Sequence, residues 1–92
     1  MKEKMIYLVG DTQNGRFYER FDSYSKALAY IEKEYAYDKA HEGEPYTTFI
    51  DGYYGIYRIS EEDAERYGWD YVYDNWETTK FLGAVYYKGA SA

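Results

Sequence analysis

The sequence predicts an α+β fold: an antiparallel sheet in ββα order followed by further strands, with one long helix packed on one face and a second short helix. Three observations predict it. From Ser23 to His41 the apolar residues Tyr24, Ala27, Leu28, Ile31 and Tyr35 recur at i, i+3, i+4, i+7 and i+11, the stripe of an amphipathic helix. Ahead of that helix, two short alternating runs are joined by a glycine-bounded turn; behind it lies Tyr53-Tyr54-Gly55-Ile56-Tyr57-Arg58-Ile59, the most strand-like run in the chain. The chain has 92 residues, enough for one hydrophobic core, so residues 1–92 are read as one domain.

Taken in order, Met5 to Val9 alternates Ile6 and Leu8 with Tyr7 and Val9, as a strand does. Gly10-Asp11-Thr12-Gln13-Asn14-Gly15 supplies a turn, since Asn-Gly takes positive φ at little cost. Arg16 to Phe21 returns as a second strand, with Phe17 and Phe21 expected on one face. Ser23 suits the helix N-cap, and Gly43 offers a left-handed stop beyond the far end. Glu44-Pro45 breaks the chain, a short extended piece is expected over Tyr46 to Ile50, and Asp51-Gly52 turns it into the strand after Tyr53. Gly55 inside that strand marks a bulge or a close backbone approach. Ser60 with Asp63 three residues on has the pattern of a capping box, leading a helix of about two turns that Gly68 ends. Trp69 to Trp76 alternates rings and acids, as a strand or an ordered loop. Lys80 to Lys88 closes the sheet, and Gly89-Ala90-Ser91-Ala92 is expected to fray.

Composition narrows function by exclusion. There is no cysteine, hence no disulfide and no thiolate nucleophile. No run reaches the roughly 20 apolar residues of a membrane helix, and Met1 to Met5 is too polar for a signal peptide, so a cytoplasmic protein is expected. His41 is the single imidazole, and the helix C-terminus beside it already explains a cation there. The serines lack a nucleophile elbow, and the first turn lacks the Lys-Ser/Thr of a phosphate loop. Glu61, Glu62, Asp63 and Glu65 would be a conceivable divalent-ion cluster, but acids in a first helical turn are favoured without any metal. The chain is therefore expected to be no enzyme and to need no cofactor or metal.

What stands out is the surface. Tyrosine supplies 15 of the 92 residues, each bringing a hydroxyl along with its ring. The net charge of −6 is uneven: residues 1–41 hold seven acids and seven bases, residues 42–77 hold ten acids against Arg58 and Arg66, and residues 78–92 add two lysines. Such a field repels nucleic acid and anionic lipid and attracts a basic protein surface. Rings that stack bases sit beside basic grooves, whereas these are embedded in acid. The acids Glu61, Glu62, Asp63, Glu65, Asp70, Asp74 and Glu77, with the rings Tyr53, Tyr54, Trp69, Tyr71, Tyr73 and Trp76, form the expected partner-binding segment, since Tyr and Trp dominate interface hot spots. The plainer alternative is that Trp69 and Trp76 cap the core while the acids solubilise the surface.

In length, in its cysteine-free α+β pattern and in those acids, the chain resembles the small acidic anti-defence proteins of phages and mobile elements, anti-CRISPR proteins among them. The resemblance is one of class and involves no shared motif. It implies a stoichiometric inhibitor in the bacterial host cytoplasm, covering the basic nucleic-acid-binding surface of an effector such as a Cas nuclease, with no direct nucleic-acid or membrane contact. Two other classes fit: a small-molecule binder or sponge for a nucleotide signal, holding it with rings and Arg16, Arg20 or Arg58, and a mobile-element adaptor without inhibitory role.

Overall fold

A computed structural model describes residues 4–45, 47–68 and 79–88. Its elements are β1 (Met5–Asp11), β2 (Phe17–Phe21), α1 (Tyr24–Ala40), β3 (Tyr54–Ser60), α2 (Glu61–Tyr67) and β4 (Lys80–Ala84). The four strands form one sheet in the order β2-β1-β3-β4, with every neighbouring pair antiparallel. This is the α+β arrangement expected, with one long and one short helix. No strand pairs into the sheet over 47–50, and β4 ends at Ala84, short of Lys88. The ring-and-acid run from Trp69 to Trp76 and the tail from Gly89 lie outside the described residues.

The β1–β2 turn forms because Asp11 organises it. Its carboxylate accepts from the backbone N–H groups of Asn14 and Gly15, and Gly15 takes the positive φ of 72° that its lack of a Cβ allows. The pairing slips by one residue between Val9 and Gly10. That slip corrects the expectation that Phe17 and Phe21 share a face. Side chains alternate strictly along a strand, so one extra residue sends Phe17 to the opposite side from Phe21.

The core consequently lies on both sides of the sheet. On one side Val9 and Ile56, directly paired across β1 and β3, meet Ala27, Ile31 and Tyr35 of α1. On the other, Ile6, Leu8, Phe17, Tyr57 and Ile59 cluster with Ala64 of α2. Of the predicted α1 stripe, Ala27, Ile31 and Tyr35 are buried, Leu28 is half-buried, and Tyr24 keeps 44% of its surface exposed. Ser23 caps the helix by accepting from Lys26 N–H, and the His41 N–H closes it onto the Tyr37 carbonyl. Ser60 does the same for α2, accepting from Asp63 N–H at 3.1 Å, and Gly68 ends it at φ 86°.

Gly55 is a close approach beside a bulge. A Cβ there would stand 2.8 Å from the Phe81 ring, and the β3–β4 pairing slips immediately afterwards. Gly10, its partner across β1 and β3, is covered in the same way by Phe17. The two missing side chains let Phe17, Tyr57 and Phe81 run across the sheet, each 4.9 Å from the next.

Candidate functional site

The acids of α2 are largely answered from within the chain. Glu61 lies 3.3 Å from Lys4, Glu62 lies 2.7 Å from Arg66 one turn on, and Asp63 shares the first turn, whose N–H groups are partly positive. Glu62 and Glu65 are exposed, Glu61 and Asp63 half-buried. Among the described residues no three carboxylate or imidazole groups converge to hold a metal ion. Asp70, Asp74, Glu77, Trp69, Tyr71, Tyr73 and Trp76 lie outside the described residues. Tyr53 and Tyr54 are described, and they stand at the start of β3 as parts of a different constellation from the α2 acids.

That constellation is built on Tyr35. Its ring is 1% exposed under the sheet, and its hydroxyl donates to the Val85 carbonyl at 2.6 Å while accepting from Tyr54 N–H at 3.0 Å. One phenol thus ties α1 to the first residue of β3 and to the chain leaving β4. The Tyr54 ring packs 5.3 Å from Tyr35, 5.1 Å from Tyr53 at 85° and 6.3 Å from Tyr18 at 80°. Tyr18 donates to the Asp11 carboxylate at 2.7 Å; its single proton being spent there, the contact with Tyr53 at 3.0 Å has Tyr53 as donor. Asp11, 1% exposed, therefore fixes both the turn and, through Tyr18, the edge of the Tyr53 ring.

Against these rings α1 sets Tyr30, Glu34 and Asp38, each one turn from the next. Burial raises the Asp38 carboxyl above the ordinary aspartate value, and Glu34 adds to the rise, with His41 opposing it. Burial also raises Tyr54, followed by the charges of Asp38 and Glu34. Tyr30 is pushed up to about 12 by burial, then by its hydrogen bond to Glu34 and by the charges of Glu34 and Glu19. All three shifts describe a locally negative, partly desolvated surface. Asp38, Thr48, Ile50, Tyr53 and Tyr54 line a notch of about 260 Å³ in it. Ile50 is 41% exposed beside it, and nearby the Tyr86 ring covers Gly52 while Asp51 accepts from Tyr87 N–H at 2.7 Å.

Of the residues gathered around the notch, the sequence singled out Tyr53 and Tyr54 as candidates, and Tyr18, Glu34, Asp38 and Ile50 were not among them. The helical spacing of Tyr30, Glu34 and Asp38 was visible, but nothing local says that this side of α1 faces the start of β3.

The arginines weighed for nucleotide binding do not share a site. Arg16 stacks 5.9 Å from the Tyr18 ring, and Arg58 stands between Tyr7 and Lys80 in the sheet. Arg20 lines a second cavity, of about 300 Å³, with Lys4, Ile6, Phe21, Lys26 and the carboxylates of Asp22 and Glu61. There Lys4 pairs with Glu61 and Lys26 with Asp22 at 3.0 Å, and Lys26 holds the Asp22 carboxyl below its usual value. His41 donates through Nδ1–H to the Tyr37 carbonyl at 2.8 Å and stacks on the Tyr37 ring at 4.0 Å. Among the described residues no helix is long and apolar enough to cross a membrane. No family model, curated protein or solved structure matches this chain.

Proposed function

We propose that this protein is a non-enzymatic binding module that sets an acidic, tyrosine-rich surface against a basic protein partner. Its role in that reading is a stoichiometric inhibitor of the anti-CRISPR kind, encoded by a phage or mobile element, acting in the cytoplasm of a bacterial host and covering the nucleic-acid-binding groove of a Cas nuclease or similar effector. The observation that carries the reading is the pairing of half-exposed rings with carboxylates that lack an ion-pair partner among the described residues, at Tyr53, Tyr54, Glu34 and Asp38. Rings supply burial and shape on docking, and the negative field steers a basic partner in.

The test is retention of a basic nucleic-acid enzyme from bacterial lysate on the immobilised protein, after nuclease treatment so that nucleic acid cannot bridge the two. Binding should weaken steeply between low and physiological salt, and the captured enzyme's own DNA or RNA should compete it away. Retention that ignores both salt and nucleic acid would overturn the reading.

A nucleotide sponge keeps one supporting observation, the 300 Å³ cavity where Lys4, Arg20 and Lys26 surround Phe21. Its ion pairs to Glu61 and Asp22 would have to open for an anion, so added nucleotide should raise the melting temperature only if they do.

A further inference from the structure

We infer that the notch between α1 and the start of β3 is an anchor site for a single arginine side chain of the basic partner. The inference rests on the proposed function for the partner's class, and on the notch alone for its chemistry.

Size comes first. At about 260 Å³ the notch lies at the small end of binding sites, room enough for one long side chain. Tyr53 and Tyr54 are among its lining residues, and their rings stand at right angles, packed against Tyr18 and Tyr35, so that neither has to be ordered on binding. A cation over a ring face is attracted by the ring quadrupole, and a planar guanidinium also stacks on it. Asp38 and Thr48, which carry a carboxylate and a hydroxyl, are also among the lining residues. A guanidinium presents five N–H donors in a fixed fork, so it can meet a carboxylate and a hydroxyl while lying on a ring; an ammonium has only a point charge to offer.

The electrostatics agree. Asp38 is a carboxylate held partly out of water beside the like charge of Glu34, a cost that His41 offsets only in part and that a further cation would relieve. The chain also places its own cations on rings nearby: the Arg16 guanidinium lies 5.9 Å from the Tyr18 centroid, and the Lys39 ammonium lies 5.0 Å from that of Phe49. Two of the α2 acids, by contrast, are already occupied by Lys4 and Arg66.

The test is a titration of the full-length ¹⁵N-labelled chain with N-acetyl-arginine methylamide, followed by amide chemical shifts. The neutral isostere N-acetyl-citrulline methylamide and the lysine analogue serve as controls. Perturbations should centre on residues 38 and 48–54. Arginine should bind at least about 5-fold more tightly than citrulline, with lysine between them. Asp38→Asn keeps the shape of the side chain and should weaken arginine binding roughly 5- to 10-fold, and Tyr53→Leu should weaken it by a similar factor.

Citrulline binding as tightly as arginine, or perturbations centred on Glu61 to Glu65, would overturn the inference. Once a basic partner is in hand, the double variant Asp38→Asn, Tyr53→Leu separates the two claims. Undiminished partner affinity overturns the anchor and leaves the basic-partner reading standing. Loss of partner binding with a dispersed, folded spectrum supports the anchor. Arginine binding at the notch in a protein that captures no basic partner supports the notch chemistry and counts only against the broader function.

Discussion

The α2 acids and the α1 notch acids carry the same chemistry to opposite effect. Glu61, Glu62, Asp63 and Glu65 are the denser cluster in sequence, yet Lys4, just ahead of β1, neutralises one, Arg66 neutralises another, and the helix start favours the first three. Glu34 and Asp38 are only two acids, from a segment whose charges sum to zero. They face each other one turn apart beside half-buried rings, and burial and mutual repulsion raise Asp38 and Tyr54. Potential follows where the bases end up. Acid count along the chain is a poor guide when a lysine reaches one cluster and, among the described residues, no ion pair forms at the other.

The comparison breaks most completely if the support under the notch is removed. Tyr35 is buried and holds Tyr54 by ring and hydroxyl, so Tyr35→Ala should destabilise the protein by about 3–5 kcal/mol in urea unfolding, the cost of deleting a buried ring. A loss under about 1 kcal/mol, the scale of ordinary surface changes, would mean that the Tyr54 wall stands without it.

Next in size is the helix seating that brings Glu34 and Asp38 to the rings. Ile31 is fully buried and Ile31→Ala should cost about 2–4 kcal/mol, whereas half-buried Leu28 should cost less than half as much. Equal losses at the two positions would show a helix rotated from the orientation described here, with its acids turned off the notch.

A matched pair of charge reversals then addresses the comparison directly. Glu34→Lys with Asp38→Lys, and Glu61→Lys with Glu62→Lys, each change net charge by +4, from −6 to −2. The notch pair should slow association with a basic partner by roughly 10-fold and the α2 pair by much less, because the α2 acids are already screened by their own cations. Equal slowing, measured by stopped flow at low salt, would mean that only total charge matters.

The smallest effect has the most informative sign. Asp38→Asn should stabilise the fold at pH 7 by a few tenths of a kcal/mol, the scale of a like-charge pair one helical turn apart. A carboxyl raised in the folded state binds its proton more tightly there than in the unfolded chain. The wild type therefore recovers stability as pH falls from the raised folded value toward the ordinary aspartate value near 3.9, and the difference between variant and wild type should vanish below that. A variant less stable than the wild type at pH 7 would show that Asp38 is structurally satisfied, and the notch would lose its waiting charge.

Local pattern was enough for the elements. Ser23 and Ser60 start helices because a hydroxyl next to an apolar-periodic run can accept from an orphaned N–H, and that relation spans three residues. The Asp11 to Gly15 turn and the strand alternation of β1 and β3 are equally short-range, which is why they were legible. The core of α1 was legible too, through Ala27, Ile31 and Tyr35.

Tertiary structure alone decided three things. The slip between Val9 and Gly10 moved Phe17 to the other side of the sheet, because a one-residue change of register reverses every side chain beyond it and no composition rule marks where it falls. Strand order put β3 beside β1, so that Asp11 and Tyr18 from the first hairpin meet Tyr53 and Tyr54 some 35 residues later. The same docking turned Tyr30, Glu34 and Asp38 toward those rings and brought Lys4 to Glu61. A charge distribution in space depends on long-range pairings, which cost chain entropy to form and leave no local mark in the residues they unite. The sequence therefore specified how much acid and tyrosine the surface would carry, and the fold chose which of it would be left unanswered.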